Sequence, residues 1–268
     1  MGPRLRGGDG MEWVVGTPMT LAAWLAAPEA TMAQLLFASL RGGAALALLP
    51  GIGGTLLPLR ARIGVALALG LLAFDAAVPP EGPALLGAVA GEVLIGAGFG
   101  VLLQAVFASA SIAGEVLSQS MGLGFATILS PGGVTSPVLT NFLSLLLWAV
   151  FLGLDGHAQL FALIVESYRT LPPGAGLDPL AVARFGGAAF ASGLLIAAPV
   201  AAVLFLVNLW LAVLARSAPQ LNLFSVGFAV LMAAGLVALP LALPAMLGGM
   251  GDAVSGGSDA FAALVQAL

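Results

Sequence analysis

The sequence predicts an all-α integral membrane protein built from long, kinked helices and helical hairpins. Eight basic and twelve acidic residues are spread over 268 positions. Residues 116–154, 185–215 and 217–251 carry no charged side chain. Hydrophobic residues make up 60% of the chain, and its mean hydropathy is +1.12. Since soluble domains are about a quarter Asp, Glu, Lys and Arg, most of this surface must face lipid or other apolar protein.

Apolar runs separated by clusters of proline and glycine predict the helices in order. Arg41 lies in the first helix, Arg60 and Arg62 precede a short second helix, and Glu92 lies in the third. The predicted apolar helices and segments cover residues 32–49, 63–77, 85–111, 141–154, 185–215 and 226–246. Two other stretches separate them, a Gly- and Ser-rich segment over 113–137 and a polar one over 155–184.

The run over residues 185–215 is longer than one crossing requires. As a straight helix it would extend about 46 Å, against a hydrocarbon thickness of about 30 Å. Pro199 lies near its middle, which predicts a kinked or hairpin-like element. In a six-span arrangement the arginines fall on both sides: Arg60, Arg62 and Arg216 on one, Arg169 and Arg184 on the other.

Two regions are expected along the chain. Residues 1–31 form an N-terminal extension and a first helical segment, and residues 32–268 form a helical membrane domain that ends in an amphipathic tail over 251–268. The first ten residues are polar and are not followed at once by an apolar core. We therefore interpret them as an extension and not as a signal peptide.

Composition excludes several kinds of site. The chain has no cysteine, so disulfides and thiolate chemistry are absent. A single histidine, His157, cannot form a histidine-based metal site by itself. Basic residues occur singly or in pairs, without the basic patch that nucleic-acid binding needs. We therefore predict no metal, no cofactor and no nucleic-acid partner.

Charged residues within apolar helices are candidates for function because they are costly in lipid. Arg41, Glu92 and Glu115 are of this kind. Arg41 could instead extend its charge to the membrane surface, and Glu92 could lie near the interface. A secondary transporter of ions or small solutes, using Glu92, Glu115 and Asp155, is one alternative function.

The tripeptide Asp155-Gly156-His157 contains two members of a hydrolytic triad. No serine in a nucleophile-elbow context accompanies it, so an intramembrane hydrolase is the weaker alternative. A histidine beside a helix end more often forms a terminal hydrogen bond, and that interpretation is favoured.

Small residues at four-residue spacing mark close helix packing. Gly87 and Gly91 form one such pair on the third helix, and Gly96 and Gly100 form another. Each pair fits packing within the chain as well as it fits a subunit interface.

The segment from Arg216 to Asn222 predicts a helix end and a new helix start. Arg216 complements the dipole at the end of one helix, Pro219 ends it, and Asn222 can cap the next. Gln220 adds a second amide. This turn is either a capped connection or a docking surface between subunits.

Six short motifs occur in a characteristic order. They are Glu92-Val93-Leu94-Ile95-Gly96, Ala113-Gly114-Glu115, Met121-Gly122-Leu123-Gly124-Phe125-Ala126, Asp155-Gly156-His157, Ser167-Tyr168-Arg169-Thr170-Leu171-Pro172 and Arg216-Ser217-Ala218-Pro219-Gln220-Leu221-Asn222. From about Arg41 to about Leu239 the chain resembles the FliR family of flagellar export-gate proteins, which is related to a subunit of virulence type III secretion systems. The stretch Phe224-Ser225-Val226-Gly227-Phe228 is more similar to the flagellar branch, and the virulence branch is the alternative.

The resemblance implies a non-enzymatic subunit of the bacterial inner membrane, in the flagellar basal body. Such a subunit assembles with FliP and FliQ, and with FlhB and FlhA, into the entrance pore for unfolded flagellar proteins. The family's architecture implies a FliP-like part over about residues 32–170 and a FliQ-like part over about 171–250. Apolar surface would then meet other subunits as well as membrane lipid.

Two sets of functional residues follow from these observations. Glycines that ease rearrangement, apolar side chains that exclude water and polar groups suited to a pore fit a movable plug. A packed re-entrant turn without a moving part is the alternative, and the resemblance favours the plug, since the corresponding region of the family is a loop at the constriction. The plug residues are Gly114, Glu115, Ser118, Gln119, Met121, Gly122, Leu123 and Phe125. The predicted assembly residues are Arg41, Glu92, Gly96, Gly100, Asp155, His157, Arg216, Pro219, Gln220 and Asn222.

Overall fold

The computed structural model describes residues 2–4, 12–14, 27–50, 58–123, 138–173, 179–217 and 223–266. Seven α-helices lie within those ranges. They are α1 (Pro28–Leu48), α2 (Leu59–Leu72), α3 (Ala84–Ser120), α4 (Val138–Gly153), α5 (Gly156–Thr170), α6 (Pro179–Ser217) and α7 (Leu223–Gln266). Two three-residue strands, β1 (Gly2–Arg4) and β2 (Glu12–Val14), pair antiparallel near the start of the chain.

Four of the helices are long and apolar enough to cross a membrane. The qualifying stretches are Pro28–Leu48, Ala84–Ser120, Val182–Ser217 and Val226–Phe261. Helices α4 and α5 qualify as a fifth span if they are taken together, with a bend of 64° between them. Helices satisfy their own backbone hydrogen bonds, which lipid requires. The prediction of an all-α integral membrane protein is confirmed.

The third helix is longer than predicted. Residues 113–120, expected to belong to a segment of helix breakers, continue α3 to Ser120. The helix ends at Ser120, and two residues later Gly122 has φ of +76°. The Leu123 amide donates to the Ser118 carbonyl at 2.9 Å and the Gly122 amide to the Gln119 carbonyl at 3.0 Å. This is a Schellman C-cap. Glycine therefore ends the helix only where its left-handed conformation is used.

Of the kinked or hairpin-like element predicted over residues 185–215, the hairpin alternative is wrong. The whole stretch lies in α6, a single helix of 39 residues that contains Pro199. Residues 251–266, predicted as a separate tail, continue α7. The polar stretch after residue 155 contains α5. Proline removes one backbone amide donor. The remaining hydrogen bonds of this long helix are enough to keep it continuous past Pro199.

The described helices form two compact units. The first comprises Met1–Gln104, His157–Phe185 and Gly257–Leu268, and the second comprises Ala105–Gly156 and Gly186–Gly256. In the first unit, α2 packs antiparallel on α1. A Cβ added to Gly70 would lie 2.8 Å from the Ser39 amide nitrogen, and one on Gly42 would lie 3.0 Å from Cδ1 of Leu69. Glycine is needed at Gly70, where a Cβ would meet backbone, and at Gly42 the Leu69 side chain would have to shift.

Helix α3 also packs closely on α1. A Cβ on Gly96 would collide with the carbonyl oxygen of Arg41 and lie 2.8 Å from the Cβ of Ala44. One on Gly100 would lie 2.6 Å from the Cβ of Leu48. This glycine pair therefore serves packing within the chain.

Aromatic side chains and small residues join the elements of the second unit. The rings of Phe107 and Trp148 have centroids 4.4 Å apart, and both rings contact Phe151. Further along α3, Gly114 approaches the Thr140 backbone of α4 so closely that a Cβ would collide with it. These contacts hold α4 antiparallel to the second half of α3.

We expect Gly96→Ala to destabilise the protein by about 1–3 kcal/mol, because the added methyl group separates α1 from α3. Gly87→Ala is the matched control on the same helix, since no atom lies within 4 Å of its added Cβ. That change should be neutral or stabilising by about 0.5–1 kcal/mol. The measurement is the thermal unfolding midpoint in detergent. Equal midpoints for the two variants would contradict the close packing.

Candidate functional site

A buried ion pair joins α1 to α3. Arg41 and Glu92 both have fully buried side chains, with 0% of their surface exposed. Nε of Arg41 donates to Oε2 of Glu92 at 2.9 Å, and Nη2 donates to Oε1 at 2.8 Å. This bidentate arrangement uses both carboxylate oxygens and matches the planar shape of the guanidinium.

The end of α5 supplies the remaining partners of Arg41. Nη1 donates to Oγ of Ser167 at 2.8 Å, and Nη2 donates to the Leu171 carbonyl at 3.0 Å. The Ser167 hydroxyl in turn donates to the Ile164 carbonyl at 2.6 Å. A helix end leaves carbonyl groups without intrahelical partners. Arg41 thus caps α5 with a side chain from another helix.

Tyr168 covers one face of the arginine. The guanidinium carbon of Arg41 lies 3.9 Å from the centroid of the Tyr168 ring, a cation–π contact. The Tyr168 hydroxyl donates to the Ala38 carbonyl of α1 at 2.8 Å. The contacts of Tyr168 with Ala38 and Arg41 therefore fix the end of α5 to α1.

The geometry makes this cluster a fixed connection between three helices. Four hydrogen bonds engage four of the five N–H groups of Arg41, and both Glu92 oxygens accept from it. A buried charge without a partner costs several kcal/mol, whereas a paired and hydrogen-bonded one is tolerated. A proton relay needs a carboxylate that can exchange protons. Glu92 is instead held in the ion pair with Arg41.

The residues predicted to form a plug fall on the last turns of α3 and on the turn that follows. Glu115 and Gln119 are exposed on the helix, and Nε2 of Gln119 donates to Oε1 of Glu115 at 2.8 Å. The Ser118 hydroxyl is buried and has no hydrogen-bond partner among the described residues. Met121 is buried. Phe125 lies outside the described residues.

Contacts with α7 hold the turn Met121–Leu123. A Cβ on Gly235 would lie 2.6 Å from Sδ of Met121, so glycine at this position makes room for the methionine. A Cβ on Gly122 would lie 3.1 Å from the Phe228 ring. Leu123 is half-buried.

The Asp155-Gly156-His157 motif forms the bend between α4 and α5. Asp155 has φ of +54°, a left-handed conformation that Asp adopts more readily than most residues. A Cβ on Gly156 would collide with the Phe151 ring, so glycine is required there. The Asp155 and His157 side chains are exposed. These contacts support a structural turn over the hydrolytic alternative.

The other predicted assembly residues are placed only in part. Arg216 is exposed in the last turn of α6, where a cation complements the helix dipole. Pro219, Gln220 and Asn222 lie outside the described residues. No group of three or more Asp, Glu and His side chains that could hold a metal occurs in the ranges that the structure describes.

Sequence reasoning missed the contribution of α5 to the site. Ser167 and Tyr168 were noted only as part of a motif, and the Leu171 carbonyl was not considered. A serine and the chain's only tyrosine next to each other, in a polar stretch that alternates with buried Leu160 and Ile164, could have indicated an amphipathic helix. Nothing in the sequence pairs that helix with Arg41.

Long apolar helices held by a buried ion pair define a multi-span membrane protein, and comparisons with known proteins identify its family. The model of bacterial export proteins, family 1, matches residues 32–256, and the chain belongs to that family. Its relatives include the flagellar biosynthetic protein FliR of Caulobacter vibrioides (strain ATCC 19089 / CIP 103742 / CB 15). The two are 33% identical over 233 residues, which cover 82% of this chain and 92% of the relative.

Two further relatives carry the same name. The flagellar biosynthetic protein FliR of Pectobacterium carotovorum subsp. carotovorum is 41% identical over 160 residues. The FliR protein of Escherichia coli (strain K12) is 35% identical over 160 residues. Each match covers 57% of this chain and 60% of the relative's length. The resemblance to the FliR family, inferred from the six motifs, is confirmed.

Arg41→Met should destabilise the protein by about 3–5 kcal/mol, because it leaves Glu92 buried without a counter-charge. The double variant Arg41→Met/Glu92→Leu should regain most of the lost stability, since it removes both charges. Unfolding midpoints in detergent measure both effects. Glu166→Gln is the control, because its pair with Arg169 is exposed and such pairs contribute about 0–1 kcal/mol. If the single and double variants lose the same stability, Glu92 does not depend on Arg41.

Proposed function

We propose that this protein is a non-enzymatic subunit of the flagellar type III protein export gate. In this proposal it assembles with FliP and FliQ in the bacterial inner membrane, in the flagellar basal body, and forms with them the entrance pore for unfolded flagellar proteins. FlhB and FlhA are the further partners. The observation that carries the proposal is the match to the export family over residues 32–256, together with relatives named as flagellar biosynthetic proteins.

Exposed apolar surface supports an assembly role. Helices α6 and α7 present many large apolar side chains outward. They include Leu194, Leu195, Phe205, Leu206, Trp210, Val213, Val226, Met232, Leu236, Val237 and Leu241. Apolar surface of this extent on a membrane protein is covered by lipid or by other subunits. In the proposed gate it lies in the FliQ-like part, over about residues 171–250, and FliQ and lipid share it.

The acids that the transporter alternative requires are not suited to a relay. Glu92 is paired with Arg41, and Glu115 is exposed and accepts a hydrogen bond from Gln119. Asp155 is exposed in the bend between α4 and α5. These environments favour a structural subunit over an ion-coupled transporter or a hydrolase. The names of the relatives favour the flagellar branch over the virulence branch.

Coexpression tests the proposal. With FliP and FliQ present, the chain should purify in detergent as one monodisperse complex, because partner subunits cover its apolar faces. Expressed alone, it should be poorly recovered or polydisperse. Size-exclusion chromatography of the two preparations provides the comparison, and Arg41→Met should reduce recovery of the complex further. A chain that is equally stable and monodisperse without the partners would contradict the assembly role.

The plug is part of the same proposal, and the structure limits which of its residues are able to move. Residues from Gly114 to Gln119 are helical, so the part that we propose to move begins at Met121 and includes Leu123. Met121 and Leu123 exclude water, and α7 contacts the turn where Met121 meets Gly235 and Gly122 meets Phe228. We infer that this turn closes the pore until a cargo chain displaces it.

Gly235→Leu should open the closed pore, because the new side chain occupies the place of Met121 and displaces the turn. Gly248→Leu on the same helix is the control, since no atom lies within 4 Å of its added Cβ. The measurement is entry of a small impermeant solute into cells that carry the assembled complex. We expect a leak with Gly235→Leu and none with Gly248→Leu. An assembled Gly235→Leu complex that stays tight and exports normally would rule the plug out.

A further inference from the structure

Helices α6 and α7 of the second compact unit approach each other closely at two points. A Cβ on Gly227 would lie 3.8 Å from Cδ1 of Leu211, and one on Gly249 would lie 3.2 Å from Cγ1 of Ile196. From the first point to the second, residue numbers rise on α7 and fall on α6. The two helices are therefore antiparallel neighbours.

The path between these two points is longer on α7 than on α6. Ile196 and Leu211 on α6 are 15 residues apart, which is about 22 Å along a helix. Gly227 and Gly249 on α7 are 22 residues apart, which is about 33 Å. Two straight helices could not touch at both points, and both stretches contain proline, which bends helices. The helices must therefore separate between the two contacts.

An apolar groove opens where α6 and α7 separate. Pro199 and Val203 line it on α6, and residues between Val230 and Ala242 line it on α7. Every side chain in the lining is apolar, and the groove has a volume of about 740 Å³. Sites for small molecules typically have volumes of about 300–1,000 Å³. The groove therefore has the size and the chemistry of a site for a hydrocarbon ligand.

The length of the groove fits an acyl chain better than a helix. From Val230 to Ala242, α7 rises about 18 Å, and one leaflet of the hydrocarbon core is about 15 Å thick. A helix that spans the membrane is about 30 Å long and about 10 Å wide. Lying along the groove, such a helix would run past both α6–α7 contacts and force them apart. An extended hydrocarbon chain fits between the contacts.

One end of the groove lies near groups that suit the polar part of a phospholipid. Trp210 lies two turns after Val203 on α6 and is 60% exposed. Tryptophan is enriched where a helix leaves the hydrocarbon for the headgroup layer. Arg216 lies in the last turn of α6, about 8 Å beyond Leu211 along the helix. A lipid that leaves the groove at this end therefore has its phosphate near a cation.

The charge of Arg216 is available to such a phosphate. Arg216 is the only basic residue in the sequence of the second compact unit, and its side chain is exposed. It forms no ion pair within the ranges that the structure describes. Arginine beside a membrane span attracts anionic headgroups, and its guanidinium binds phosphate oxygens well.

We propose that the groove between α6 and α7 binds one acyl chain of an anionic phospholipid, whose headgroup phosphate contacts Arg216. The lipid is a specific ligand of this groove, separate from the bulk lipid and the subunits that cover the remaining apolar surface. The proposal requires only that the chain spans a membrane, so it does not depend on a place in the export gate.

Photolabelling of membranes that contain the full chain tests the site. The probe is phosphatidylglycerol with a diazirine in its acyl chain, and phosphatidylcholine with the same acyl chain is its uncharged counterpart. Mass spectrometry should find the label on residues 199–203 and 230–242, and excess unlabelled phosphatidylglycerol should displace it. Arg216→Gln should lower labelling by phosphatidylglycerol about fivefold, to the level of phosphatidylcholine.

Two substitutions on α7 separate the groove from the rest of the helix. Ala234→Phe fills the groove and should abolish the label there. Ala229→Phe, at an exposed position outside the lining, should leave the label unchanged. If Ala234→Phe does not reach the membrane, displacement by unlabelled lipid in the unsubstituted chain decides the question.

Three results would overturn the proposal. Label that unlabelled lipid does not displace, or that Ala234→Phe does not lower, would show ordinary lipid contact along the helices. Equal labelling by the two lipids would rule out the phosphate contact of Arg216. Label that disappears when FliP and FliQ are coexpressed would show that a partner helix fills the groove. Failure of FliP and FliQ to copurify contradicts only the proposed function, because the label is read in membranes with and without them.

Discussion

The charge of Arg41 sets the arrangement of the first compact unit. A guanidinium in the middle of an apolar helix is tolerated only if its charge is paired and its N–H groups have acceptors. Glu92 supplies the counter-charge, and Ser167 and the Leu171 carbonyl supply the other acceptors. These partners belong to α3 and to the end of α5, which are far apart in sequence, so both must meet α1 at one point for the arginine to be stable.

Small residues make that meeting possible. Glu92 can reach Arg41 because Gly96 and Gly100, one and two turns later, let the backbones of α3 and α1 approach closely. Apolar burial does not drive helices together in lipid, so close packing and polar contacts carry the association. The glycine pair and the ion pair are therefore two parts of one interface, since the carboxylate would not reach the guanidinium across a wider gap.

Close packing inside the first unit and large apolar side chains on α6 and α7 serve different contacts. Inside the first unit, α1 approaches α2 and α3 most closely at glycines, at Gly70, Gly96 and Gly100, whereas α6 and α7 present Leu, Phe and Trp outward. In a membrane complex this distribution leaves the large apolar side chains for lipid and neighbouring subunits. The proposed place in an export gate accounts for both properties, because each subunit must be rigid within itself and adhesive at its surface.

Composition and the length of the charge-free stretches determined that this is a membrane protein, because an unpaired charge within a membrane-spanning helix is costly in lipid. Ordered motifs determined its family. Local sequence could not determine where helices end. Gly114 is a weak helix former, yet it is helical because Thr140 packs against it, while Gly122 ends the helix through a left-handed turn. Pro199 likewise lies within a continuous α6.

Only part of the site could be predicted from the sequence, for a related reason. Arg41 and Glu92 were recognisable from the sequence, since a charged residue within an apolar helix is visible there and is costly in lipid unless it has a partner. Their pairing, the capping of α5 by Arg41, and the parallel course of α1 and α3 depend on contacts between residues 51 to 130 positions apart. No periodicity or local preference encodes such contacts. Only the tertiary structure decided them, because bidentate geometry and backbone approach are properties of packed helices.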